Sequence, residues 1–330
     1  MIEVVDPGLA VAVQDRGRFG LRRFGVPVAG ALDPLMLACA NLLLGNAPDA
    51  AGLEIPATGP VLRADAAVGV ALAGDIEARR IAADGSSLSV GPWNAVVLSP
   101  GDTLRIGTPR RGIAYLAVTG GIGSAPMLGS RSTYRRAGLG RFLETGDRLP
   151  CAGAAVLLQG PAWRHADGPI RILPGPQDDH FTPAGLKALE TAEFRVGPAS
   201  DRMGLRLSGP VLEHNDRGAE IPTDGVAPGA IQVPGDGQPI VLLADGQTTG
   251  GYAKIATVIA ADLPRLGQAR PGDVLRFRRV TRPEARAALL RRQADLAAWR
   301  DRLTGAAGQI DQSALYRDNL ISGVVSGKEE

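Results

Sequence analysis

The sequence predicts a mainly β protein made of two diverged copies of one barrel-like unit, with a small-molecule site between them. Three observations carry this. Glycine (44) and proline (25) are abundant in a chain of 330 residues with only 4% aromatics, the composition of short strands joined by tight turns. Short apolar or β-branched runs bounded by Gly, Pro or Asp recur along the chain. Three motif pairs also return in the same order in each half. Asp15-Arg16 with Gly20-Leu21-Arg22 matches Asp201-Arg202 with Gly204-Leu205-Arg206. Glu54-Ile55-Pro56 matches Glu220-Ile221-Pro222, and Pro100-Gly101-Asp102-Thr103-Leu104-Arg105 matches Pro271-Gly272-Asp273-Val274-Leu275-Arg276. One such pair is ordinary turn chemistry; three in order indicate duplication. The expected halves are 1–160 and 161–282, followed by a C-terminal helix and polar tail over 283–330.

Strands are expected at Val68 to Ala73, Ala95 to Leu98, Ile113 to Val118, Ala155 to Leu158 and Ile240 to Ala244. Asp33-Pro34 opens the first helix, Asp as N-cap and Pro at the first helical position. Leu35, Met36, Cys39, Leu42 and Leu43 would form one apolar face, and Gly45 a stop. A second helix follows Thr281-Arg282-Pro283-Glu284, a capping-box spacing, and runs to about Leu303. A shorter one is expected after Thr182-Pro183.

Composition narrows the function. The hydrophobic fraction of 45% supports a sizeable core, and a net charge of +2 with interspersed signs is unlike a nucleic-acid footprint. Cys39 and Cys151, like His165, His180 and His214, are scattered rather than set at metal or triad spacings. The N-terminal residues lack a leader pattern and no run approaches a membrane span, so a cytoplasmic protein is expected. Gly323 to Lys328 falls one residue short of a phosphate-binding loop.

Candidate chemistry concentrates between Asp224 and Thr257. Glycines there allow close backbone approach, while Asp, Gln, Thr, Tyr and Lys supply charge, hydroxyls and amides. Such a set suits a small amide or carboxylate. Lysine is otherwise rare, at Lys187 and Lys328. Gln14-Asp15-Arg16-Gly17-Arg18 could grip a carboxylate, or form a solvated turn. Arg131-Ser132-Thr133-Tyr134-Arg135-Arg136 reads as a basic surface loop.

Pro228-Gly229-Ala230-Ile231-Gln232-Val233-Pro234, Asp245 through Tyr252, and Lys254-Ile255-Ala256-Thr257-Val258-Ile259 resemble the signature of the biotin-dependent carboxyltransferase family. That family includes the C-type subunits of 5-oxoprolinase, KipA-type proteins and the urea carboxylase module once assigned to allophanate hydrolase. Asn41-Leu42-Leu43-Leu44-Gly45-Asn46, Thr119-Gly120-Gly121-Ile122, Leu128-Gly129-Ser130-Arg131-Ser132-Thr133 and Ser200-Asp201-Arg202-Met203-Gly204 support it. Asp224 departs mildly, because Glu is the family's commoner residue there.

The resemblance implies two tandem cyclophilin-like β-barrel domains. It implies a subunit of an ATP-dependent 5-oxoprolinase that opens 5-oxoproline to L-glutamate, working with KipI-like (B-type) and LamB/YcsF-like (A-type) subunits. ATP would be used by the complex, with no evident binding motif in this chain. Two alternatives follow from the same family: carboxyl transfer from carboxybiotin on a separate carrier to urea or a similar amide, and a KipA-like regulatory protein binding a KipI-like partner. Lys254, Asp245 and Asp224 are the candidate catalytic residues. Asn41, Arg16, Gln247, Thr248, Tyr252, Gln232 and Arg202 are the candidate substrate-binding residues. Lys254 would stabilise an oxyanion or hold an anionic intermediate, with Asp245 or Asp224 as base or as its partner.

Overall fold

The computed structural model describes residues 1–153 and 156–306. The start of the strand expected at Ala155, the tail from 307 onward and Lys328 lie outside these residues. The described chain is mainly β, with four α-helices: α1 (Pro34–Leu42), α2 (Pro183–Thr191), α3 (Leu263–Gly267) and α4 (Arg282–Arg300).

The first unit closes a 6-stranded and a 5-stranded sheet around a core that includes Ile2, Leu53, Leu62, Leu72, Leu104 and Leu116. Its central strand, Arg111–Val118, is buried on both faces. Ala114, Leu116 and Val118 enter this core, while Ile113, Tyr115 and Ala117 lie under α1. The two-residue period of a strand sorts the side chains in this way. In the neighbouring strand Val68–Asp75, Ala71 and Ala73 take the helix side, and their small size lets α1 approach closely.

Asp33 caps α1 as expected, its Oδ1 accepting from Leu35 N and Met36 N at 3.1 Å. The single apolar stripe is not found: every residue from Leu35 to Asn41 is buried. The reason is that α1 lies between the sheet and α4. Trp299 of α4 is fully buried against Leu37, Cys39 and Leu43, and its Nε1 donates to Pro161 O at 2.8 Å. Each such apolar side chain contributes about 1.5–3 kcal/mol on burial. The C-terminal helix packs on both units: Trp299 against the first, and Ala285 and Ala288 against the cluster that includes Ile259 and Ala261 of the second. Its capping box is formed as the sequence predicts, Thr281 Oγ1 taking Glu284 N and Glu284 Oε2 taking Thr281 N.

The second unit is an 8-stranded, nearly closed sheet around Phe194, Leu205, Leu207, Ile231, Val241, Ile255 and Phe277. Thr182 caps α2 on Gly185 N at 3.0 Å. A two-stranded antiparallel pair, Glu220–Gly225 with Thr249–Tyr252 (called the hairpin, although two strands of the large sheet come between them in the chain), lies outside this sheet.

The motif pairs diverge unequally. Pro-Gly-Asp forms the same turn twice. Gly101 and Gly272 have φ of +86° and +96°. Asp102 and Asp273 each accept the amide three residues back, from Ser99 and Arg270 at 2.8 Å. Asp15 and Asp201 each take the amide two residues on, also at 2.8 Å. The residues that follow differ: Arg22 opens a 3-10 turn, whereas Gly204–Ser208 is a strand. Glu54 sits in a buried strand beside the central one, but Glu220 in the exposed hairpin.

Candidate functional site

The second unit's sheet has an inner face, which holds the core, and an outer face covered by the hairpin. Register places four residues in one row across the outer face. Arg206 pairs with Ile240, Ile240 with Gln232, and Gln232, across a β-bulge, with Lys254. Paired residues on neighbouring strands share a face, at about 4.8 Å per strand. The row thus reads guanidinium, apolar, amide, ammonium.

The hairpin covers the Lys254 end. Lys254 is 3% exposed, and its Nζ donates to Asp224 Oδ2 at 2.7 Å and Gly225 O at 3.3 Å. Hydrogen bonding from Lys254 holds the exposed Asp224 carboxyl below the usual range. Gly250, opposite Asp224, rests on Gln232: a Cβ there would lie 2.5 Å from Gln232 Nε2. Gln232 is 2% exposed, and its Oε1 accepts from Gln247 Nε2 at 3.1 Å. Its Nε2 is buried with no partner among the described residues. An unpaired buried donor costs about 1–3 kcal/mol, so this one favours any ligand that brings it an acceptor oxygen.

A cavity of about 560 Å³ opens beside the row, lined by Gln232, Gln247, Tyr252, Ile240, Arg206 and, from the first unit, Arg136. Arg136 approaches Asp201 at 3.9 Å. Arg22 also crosses between the units, its Nη2 donating to Val226 O and to Gln247 O, the latter at 2.9 Å. It holds the segment that leads into the strand Thr249–Tyr252.

A second polar cluster lies at the interface of the units. Arg202 holds Asp245 by two bonds of 3.0 and 2.9 Å, contacts Glu54, and donates to Gly30 O at 2.7 Å. Glu54 Oε2 takes Tyr115 Oη at 2.7 Å, and that hydroxyl takes Asp33 N at 2.9 Å. Asp33 Oδ2 lies 2.6 Å from His165 Nε2 and takes Gln268 Nε2 at 2.7 Å. Burial pushes the Asp245 carboxyl up despite Arg202, and pushes the Tyr115 phenol up with Glu54 adding to it.

The predicted residues therefore separate. Lys254, Asp224, Gln232, Gln247 and Tyr252 come together. Thr248 lies on the hairpin's approach, where its carbonyl takes Val226 N at 2.9 Å. Asp245 and Arg202 belong to the interface cluster. Asn41 is fully buried: Nδ2 donates to Ala50 O at 2.8 Å and Oδ1 accepts from Asn46 at 3.0 Å, so it holds its own loop. Arg16 faces solvent, 3.6 Å from Asp49. The side chains that reach over from the first unit are Arg22 and Arg136, in place of Asn41 and Arg16. In the sequence, Arg22 and Arg206 stand out only as members of a repeat, the one available signal for them.

No helix among the described residues is long and apolar enough to cross a membrane. The model of the carboxyltransferase domain, subdomains A and B, matches residues 24–279. The C-type subunit of Escherichia coli 5-oxoprolinase is 38% identical over 86% of this chain and 93% of its own length; that of Haemophilus influenzae is 36% identical over 90% and 96%. Among solved structures, the crystal structure of TTHA0988 superposes with a TM-score of 0.74 at 37% identity, over 84% of this chain and 56% of that one. The Kluyveromyces lactis urea amidolyase gives a TM-score of 0.81 at 27% identity, over 90% of this chain and 20% of that one. This chain spans about half of the first of these structures and a fifth of the second. The chain belongs to the family of carboxyltransferase domains with subdomains A and B.

Proposed function

We propose that this chain is the C-type subunit of an ATP-dependent 5-oxoprolinase and supplies the surface that grips the lactam of 5-oxoproline as it is opened to L-glutamate. The observation that carries the reading is Gln232, buried, with its Nε2 unpaired among the described residues, between Gln247 and Lys254. A lactam offers a carbonyl acceptor and an N–H donor side by side. Gln232 Nε2 meets the first and Gln247 Oε1 the second. Attack on the carbonyl puts negative charge on its oxygen. The Gln232 donor and the Lys254 ammonium one strand away, both on buried side chains, favour that charge. Asp224 holds the ammonium in place. The relatives named as C-type subunits of 5-oxoprolinase support this reading.

In this account the chain works in a soluble cytoplasmic complex with KipI-like (B-type) and LamB/YcsF-like (A-type) subunits, and ATP is consumed by the assembly. A second reading, carboxyl transfer from carboxybiotin on a separate carrier to urea, is favoured by the family's description and by the likeness to urea amidolyase. The ureido ring of biotin presents the same amide edge, so Gln232 and Gln247 would hold it; the group would supply the carboxyl. The test is ATP hydrolysis by the co-expressed complex. Dependence on 5-oxoproline supports the first reading. Dependence on urea and a biotinylated carrier, with none on 5-oxoproline, overturns it.

A further inference from the structure

We infer that Arg206 is the carboxylate anchor of this site, so that it selects a lactam bearing a carboxylate over urea or an uncharged lactam. The inference rests on the 5-oxoprolinase reading and adds a residue that the sequence marks only as a member of the internal repeat. Arg206 ends the row that begins at Lys254, with Ile240 and Gln232 between them. Its strand, Gly204–Ser208, sends Leu205 and Leu207 into the core and Arg206 to the outer face. There it lines the same cavity as Gln232 and Gln247. Among the described residues its guanidinium makes no hydrogen bond or ion pair, unlike Arg22 and Arg202.

The two carboxylates that also line the cavity are already engaged. Asp201 takes Met203 N at 2.8 Å and faces Arg136, and Asp236 takes Gln238 N at 3.0 Å. Of the two arginines among the described residues lining the cavity, Arg136 stands 3.9 Å from Asp201 and Arg206 is the one whose guanidinium has no ion pair or hydrogen bond. Its backbone is two strands, about 10 Å, from that of Gln232, and its long side chain shortens the gap. The cavity then offers an amide-reading end, an apolar patch at Ile240 and a carboxylate-reading end. 5-Oxoproline carries all three features: its lactam carbonyl and its carboxylate-bearing carbon both flank the ring N–H, and two methylenes close the far side of the ring. Urea has only the first. Arg suits the distal end because its fork pairs with both carboxylate oxygens.

The experiment is steady-state kinetics of 5-oxoproline-dependent ATP hydrolysis by the assembled complex, with 2-pyrrolidinone as a competitive inhibitor lacking the carboxylate. Losing a charge-assisted pair removes about 1.5–3 kcal/mol of binding, so Arg206→Leu should raise KM roughly 10- to 100-fold with kcat little changed. Arg206→Lys should recover part of the loss. Inhibition by 2-pyrrolidinone should be the same in wild type and both variants. An unchanged KM in Arg206→Leu, with the wild type active, overturns the anchor alone. An equal loss of 2-pyrrolidinone binding overturns it too, because it shows a structural role. A wild-type complex that ignores 5-oxoproline overturns the functional reading and the anchor with it.

Discussion

Asp245 and Lys254 lie in one glycine-rich segment, yet they belong to two clusters of opposite design. Around Asp245, each charge meets a partner: Arg202 between Asp245 and Glu54, Tyr115 between Glu54 and Asp33, Gln268 and His165 on Asp33. Around Lys254, satisfaction is incomplete. Asp224 is exposed, Gln232 Nε2 is buried without a partner among the described residues, and the Arg206 end of the row is open. Closed networks fix structure, because their low-dielectric surroundings make each missing partner costly. An open network beside a cavity keeps that cost until a ligand supplies the partner. On this difference we propose that Asp245 and Arg202 join the two units and that Lys254, Gln232 and Gln247 serve the chemistry.

The largest effect should come from breaking the closed cluster. Arg202→Met leaves Glu54 and Asp245 buried without their cation and should cost about 3–5 kcal/mol in urea unfolding. A loss under about 1 kcal/mol would mean that the cluster does not join the units. A smaller effect is expected where the hairpin seats on the open cluster. Gly250→Ala puts a methyl on Gln232 Nε2, and should cost roughly 1–3 kcal/mol while raising KM. Unchanged KM would show that the hairpin's seating is irrelevant to binding.

The smallest effect is a titration. Asp224 is held below 3.8 by Lys254, so its contribution to holding the hairpin is present above 3.8 and is lost as pH falls through the lowered value. The carboxyl carbon shift of Asp224 should follow that lowered titration in wild type. In Lys254→Met it should move back up toward the ordinary Asp range. Identical titrations would show that the pair does not form.

Local signals are legible in the sequence. The caps of α1, α2 and α4 and the repeated Pro-Gly-Asp turn follow from a few adjacent residues, and the structure forms each of them. Lys254, Asp224, Gln232, Gln247 and Tyr252 of the Gly-rich segment lie near one another in the structure. Register is not legible. Nothing in the spacing of Arg206, Gln232 and Lys254 says that neighbouring strands align them, and a one-residue slip would turn each to the core. Arg22 is distant in sequence from the carbonyls that it binds, so no window could contain the contact. Asn41 invites a functional reading because it is a polar residue on an apolar helix; its partners are main-chain carbonyls of the following loop.

The most direct test of the account is 5-oxoproline-dependent ATP hydrolysis by the complex carrying Lys254→Met, measured beside its thermal unfolding. Met keeps most of the length and packing of the buried stem and removes the charge. The expected result is a fall in kcat of about 10²- to 10³-fold, the scale of losing one group that stabilises an oxyanion, with the melting temperature within a few degrees of wild type. Wild-type turnover in a folded Lys254→Met complex would contradict the account, because the ammonium at the amide-reading end of the row would then have no part in the reaction.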